Sequence, residues 1–372
     1  MLRCICLTLG DGIMRSSKMT KRLIVIVCGT ALLIAAAVVS NCQAMVQLPD
    51  SFSDAMGKTN VFLSISVGTN GDEQATYSPA ALTNALNELS KNVAIRSLSI
   101  EIESLCGDYD FPLQWICGLT NLVELAIYGR GSQRVSISLR RNVLPSTIEN
   151  LQILDVFIND ATSVSELTSL HELTISTIFP LEVVNEQLQS LSMWDVRENS
   201  TCDLSRFVNL KSLSLVDVSF DCIVGIESAN KLENLTISGT TGLESLELPK
   251  SPWLKTLSLS GGHFPPLLKE TKQLARYQLE SLQLRYLPIR KVEGIGTGTL
   301  KSLVVDCCPI SSLSDICDLP VLEYLDVRQT GISMVDKEVL RRRFPRLKRL
   351  EYTDSHGDSV DLEILTAGQK GY

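Results

Sequence analysis

The chain has 372 residues, of which 44% are hydrophobic and only 5% aromatic, and its net charge is −8. That is too apolar for a disordered chain, long enough to bury a large core, and so poor in rings that the core must be built from Leu, Ile and Val. The charge is uneven: residues 1–44 carry five basic and one acidic residue, whereas the rest carries 29 basic and 41 acidic. An acidic body argues against a general phosphate-binding surface, so no nucleic-acid partner is expected. Three histidines leave little material for imidazole catalysis or a His-rich metal site.

In chain order, the first feature is the uncharged run from Leu23 to Val39, preceded by Lys21 and Arg22 and followed by Ser40-Asn41-Cys42-Gln43-Ala44. Charged, apolar and small polar regions in that order match a secretory signal. The run is also close to the length that spans a bilayer. Residues 1–44 are therefore expected to be a signal peptide or a membrane or lipid anchor. Cleavage after Ala44 is the leading form, and Cys42 is a possible lipidation site. A start at Met19 would give a more ordinary leader, MTKRLIVIV. The protein is expected to be secreted or held at the cell surface, meeting membrane only through this segment.

Residues 45–94 read as an N-terminal cap. Val61 to Val67 (VFLSISV) has the alternation of a strand. Ser78-Pro79 offers an N-cap followed by proline in the first turn, and AALTNALNELSKN continues as a helix.

From Ile95 onward one pattern recurs: aliphatic, two variable residues, aliphatic, one variable, aliphatic. It begins at Ile95, Leu122, Ile148, Leu170, Leu188, Leu210, Leu232, Leu254, Leu279, Leu300, Leu322 and Leu347. The starts are 27, 26, 22, 18, 22, 22, 22, 25, 21, 22 and 25 residues apart. Aliphatics at positions 4 and 6 of each copy share one face of a short strand. A single such strand cannot bury that face, so neighbouring copies must stack. After the strand, aliphatics recur every three residues (Phe220, Ile223, Ile226; Ile310, Leu313, Ile316, Leu319), a spacing that suits 3₁₀ turns. Val335 to Phe344 predicts a closing helix, and 353–372 a polar, mobile C-terminal tail.

These copies resemble leucine-rich repeats, closest to the 22-residue class of bacterial internalins and phosphatase-regulating proteins. The resemblance covers residues 95–352 as about 12 repeats. It implies a right-handed α/β solenoid with short parallel strands on the concave face and 3₁₀ or short helical turns on the convex face. That family places Asn at position 9, where its amide ties adjacent coils. Here the position holds Val156, Ile178, Val196, Val218, Thr240, Gly262, Leu287, Cys308 and Thr330, so the bend must satisfy its backbone in another way.

Chemistry-bearing motifs are sparse. There is no CxxC pair, HExxH, GxSxG or glycine-rich phosphate loop, so no enzymatic activity, cofactor or metal is expected. An enzyme using residues 45–94 is the remote alternative. Seven cysteines follow residue 44, and similar offsets in consecutive repeats make Cys202 and Cys222 a possible disulfide. Asn199 and Asn234 head glycosylation sequons. Asn199 lies in a connection open to a glycan, and Asn234 within a strand where low occupancy is expected. Lys337, Arg341, Arg342, Arg343, Arg346, Lys348 and Arg349 form a basic cluster read as a solvated capping helix.

In the solenoid that the resemblance implies, positions 3, 5, 7 and 8 line the concave face. The middle repeats place Ser and Thr there, a poor hot spot, because hot spots favour Trp, Tyr and Arg. Two areas are richer: Tyr128, Asp155, Trp194, Asp195 and Asp217, and then Arg285, Tyr286, Asp306, Tyr324 and Arg328. The expected function is a non-enzymatic, exported interaction module that binds a protein ligand through these residues. A self-associating structural envelope protein is the alternative.

Overall fold

The computed structural model describes residues 6–8, 45–47, 59–67, 89, 91, 94–104, 109–130, 135–177, 179–197, 201–240, 248–262, 271–296 and 298–364. The expected signal run at 23–39, its lipidation candidate Cys42, the glycosylation candidate Asn199 and the helix expected after Pro79 lie outside these residues, Leu89 and Lys91 apart. No helix among the described residues is long and apolar enough to cross a membrane. The chain divides into two compact units, residues 1–188 and 189–372. Each consists mainly of parallel strands with few helices.

In the first unit, Asn60–Val67, which covers the expected cap strand, pairs in parallel with Ser97–Ser104. Glu124–Arg130, Asn150–Leu154 and Glu172–Ile175 follow in sequence order, all parallel. Cys6–Thr8 lies antiparallel to Asn60–Val67 and parallel to Met45–Gln47. A second parallel sheet joins Tyr109–Phe111, Val135–Ser138 and Phe157–Asp160.

In the second unit, Ser190–Trp194, Ser212–Val216, Asn234–Thr240, Thr256–Gly262, Ser281–Arg285, Ser302–Val304, Tyr324–Val327 and Arg349–Thr353 run parallel in sequence order. All twelve copies begin their strand at position 3, and within each unit neighbours pair position for position. Leu213, Leu235, Leu257, Leu282, Leu303, Leu325 and Leu350 thus stack as one buried column. Each such side chain contributes about 1.5–3 kcal/mol on leaving water. The three-residue spacing buries Ile310, Ile316 and Leu319 around the 3₁₀ turn Leu313–Asp315. Phe220, Ile223 and Ile226 are also buried, but Ile223 sits in the strand Cys222–Val224, beside Thr201–Asp203.

The expected closing helix is present as Lys337–Arg343, with Asp336 Oδ1 accepting from the Glu338 amide at 2.8 Å. The mobile tail expected over 353–372 is corrected for its described part, 353–364: Ser359–Glu363 forms a strand antiparallel to Arg349–Thr353. Val360 and Leu362 pair with Tyr352 and Leu350, where the leucine column would otherwise end in solvent. Three members of the basic cluster are paired, and one of them, Arg343, is largely covered. Arg343 donates to the carbonyls of Leu313 and Ile316 and to Asp318, Lys348 pairs with Glu323, and Arg349 with Asp361.

Candidate functional site

In eight of the twelve copies the chain bends sharply at position 8. There Asp155, Asp195, Asp217, Tyr286, Cys307 and Gln329, together with Gly239 and Gly261, take positive φ. Glycine adopts this conformation without strain, and Asp tolerates it because its short side chain bonds locally. The position-8 amide then donates to position 7 of the next repeat. Asp195, Asp217, Tyr286 and Cys307 reach the carbonyls of Val216, Ser238, Asp306 and Arg328 at 2.8–3.1 Å. Asp155 and Gln329 reach the hydroxyls of Ser176 and Thr353. This closes the backbone account that the missing Asn at position 9 left open. Position 9 can then be apolar, and Val156, Val196, Val218, Leu287 and Cys308 are buried.

The expected binding residues therefore separate into two kinds. Asp155, Asp195, Asp217 and Tyr286 stand one residue beyond their strands, as exposed corner residues, not within the strand face as expected. The first area also divides between the units, with Tyr128 and Asp155 in one and Trp194, Asp195 and Asp217 in the other. Tyr128 donates its hydroxyl to Gln152 Oε1 at 3.1 Å. Asp195 accepts from Arg197 Nε at 2.8 Å. Trp194, the last residue of its strand, is 50% exposed.

In the second area, Tyr324 and Arg328 belong to an internal charge network. Asp326 is wholly buried and Glu351 nearly so, directly opposite each other on adjacent strands. Arg328 bridges them, at 2.7 Å from Asp326 Oδ2 and 3.2 Å from Glu351 Oε2. Its hydrogen bonds to Asp326 hold the guanidinium pKa above its ordinary value. Tyr324 donates to Glu351 Oε1 at 3.0 Å. Burial, reinforced by that bond, pushes the phenol up to about 12. These two side chains are committed to holding the C-terminal strands together.

Arg285, Tyr286 and Asp306 remain. Tyr286 is 60% exposed at φ 56°. Among non-glycine corners elsewhere, Asp recurs; a bulky aromatic in this region is an outlier. The Arg285 Nε is buried without an acceptor among the described residues. Cys307 Sγ donates to Gln329 Oε1 at 2.7 Å, and burial raises its pKa, so it is held as a neutral thiol rather than an activated nucleophile. The Tyr286 phenol is raised through its hydrogen bond with Cys307 and the nearby Asp306 carboxylate.

The expected disulfide does not fit the register. Cys202 pairs with Ile223 and Cys222 with Thr201, so the two thiols are one residue out of step. Successive residues of a strand face opposite sides; Cys202 is buried and Cys222 is not. Asn234 begins its strand exposed, between Ser212 and Thr256.

Sequence reasoning missed a second surface. Position 2, just before the strand, reads Lys211, Glu233, Lys255, Glu280, Lys301, Glu323 and Lys348 in seven consecutive repeats. Lys255–Glu233, Lys301–Glu280 and Lys348–Glu323 pair at 2.7–2.8 Å. Those hydrogen bonds lower the Glu233, Glu280 and Glu323 pKa values and raise those of Lys255 and Lys301. The alternation is visible in the aligned repeats, at one of the two variable positions that precede the strand. No protein-family model matches the chain, and no curated protein is detectably similar to it.

Proposed function

We propose that this protein is an exported, non-enzymatic leucine-rich-repeat solenoid that binds a protein partner through Arg285, Tyr286 and Asp306. One observation carries the reading: a largely exposed tyrosine is held at φ 56°, at a corner where seven other repeats place Asp, Gly, Cys or Gln. Strain of this kind persists where function requires it. Tyrosine and arginine are also the side chains that dominate binding energy at protein interfaces. Trp194 is a second exposed aromatic, separated from this centre by strands whose face is mostly Ser and Thr. The apolar run before Ser40 supports export.

A photo-crosslinking residue at Ser260, which pairs with Arg285 across adjacent strands, tests the reading in the native host. The expected result is a discrete adduct with a different protein, lost when Tyr286→Ala is added. An adduct only with a second copy would favour the self-associating alternative. An adduct unchanged by Tyr286→Ala would refute the assigned centre.

A further inference from the structure

Four of the alternating charges of the second unit, Lys255, Glu280, Lys301 and Glu323, line an open groove of about 390 Å³ running across the repeats that begin at Leu254, Leu279, Leu300, Leu322 and Leu347. Trp253 stands at one end and Arg346 at the other, with Lys255, Glu280, Lys301 and Glu323 between them. Trp253 is 63% exposed, the most exposed of the large aromatic side chains described. A tryptophan left in water at the mouth of a groove is informative, because indoles are normally buried.

The chemistry of the lining narrows the ligand. Lys301 and Lys348 bond Oε2 of Glu280 and Glu323, so each carboxylate engages one oxygen in its ion pair and presents the other. Donors and acceptors therefore alternate from repeat to repeat, with charge already balanced locally. A ligand of one charge sign would meet a like charge at every second step. A neutral polyol can donate to the glutamates and accept from the lysines at each step. Apart from Trp253, the large apolar groups are Pro252 and Val321, too few to seat a series of peptide side chains. Adjacent strands are spaced about 4.8 Å, close to the length of one sugar ring. A chain of sugars lying across the repeats would present one ring to each charged step, with the indole face covering the apolar face of a terminal ring.

We infer that this groove is a binding site for a neutral oligosaccharide, with Trp253 as the stacking platform and the Lys255–Glu280–Lys301–Glu323 row as its hydrogen-bonding rail. The site is separate from the Tyr286 centre and does not depend on it.

Isothermal titration of the full chain with cellohexaose, chitohexaose, laminarihexaose and maltohexaose tests this, with hexagalacturonate as the anionic control. At least one neutral hexamer should bind with Kd between about 10 μM and 1 mM. Trp253→Ala should weaken it at least ~10-fold and Glu280→Gln about 3-fold or more, while Trp194→Ala leaves it unchanged. Trp253 is mostly exposed, so its variant should melt as the parent does, which separates lost binding from lost folding. Three results would each overturn the assignment: no neutral hexamer saturating by about 10 mM, an unchanged Kd in Trp253→Ala, or tighter binding of the anionic control.

Discussion

Two glycines at positive φ separate the backbone cost of a bend from the steric cost of stacking. Gly261, at φ 56°, occupies a position-8 corner, and a Cβ added there meets nothing within 4 Å among the described residues. Gly261→Ala should pay only the left-handed penalty of about 1–2 kcal/mol. About 0.4–1 kcal/mol of that is offset because alanine restricts the unfolded chain, so the net loss is about 0.5–1 kcal/mol. Gly225, at φ 81°, precedes the 3₁₀ turn Ile226–Ser228. A Cβ there would lie 2.1 Å from the Ser205 amide nitrogen and 2.4 Å from its Cα. Ordinary contact begins at 3.4 Å, so the two backbones must part by about 1.3 Å, and overpacking of this kind adds about 1–3 kcal/mol. Gly225→Ala should therefore cost about 2–4 kcal/mol. Urea denaturation followed by circular dichroism reads both as shifts in midpoint at constant slope. Equal losses in the two variants, or a larger loss for Gly261→Ala, would refute the close approach of Gly225 to Ser205.

Arg328→Ala should strip the countercharge from buried Asp326 and Glu351. Breaking a buried pair costs about 3–5 kcal/mol. The Arg328 side chain is 36% exposed, and screening there reduces the expected loss to about 2–3 kcal/mol. A denaturation change under about 0.5 kcal/mol would show that the network does not hold the C-terminal strands. Cysteine alkylation at pH 8 should label exposed Cys117 well before Cys308, whose thiol burial pushes up to about 11. That leaves a thiolate fraction near ~10⁻³ at Cys308. Equal rates in the folded protein, by peptide mass spectrometry, would contradict its burial.

Much of the strand architecture was legible in the residues. Positions 4 and 6 of each copy had to be buried, because two aliphatics on one face of an isolated strand have nowhere else to go. The copies then gave the strand starts and the position-for-position pairing. The candidate site was less legible. Tyr286 was visible as an exposed aromatic, but a string of residues does not reveal that position 8 is a left-handed corner. Asp155, Asp195 and Asp217 consequently read as part of the strand face, whereas they stand at exposed corners just beyond it.

What the sequence determined by itself was periodic: which residues recur at a fixed spacing, and hence which face inward. What only the tertiary structure decided was where neighbouring repeats meet at specific atoms. Cys202 and Cys222 share similar offsets, yet one residue of register separates them, and alternation along a strand turns that single step into opposite faces. Arg328 and Tyr324 read as surface side chains until Asp326 and Glu351 were found buried beside them. The polar segment after residue 352 gives little sign of a strand, since Ser359–Glu363 carries only two apolar residues. It becomes one because the last parallel strand leaves a row of unpaired backbone groups and an open leucine column, and pairing with it satisfies both.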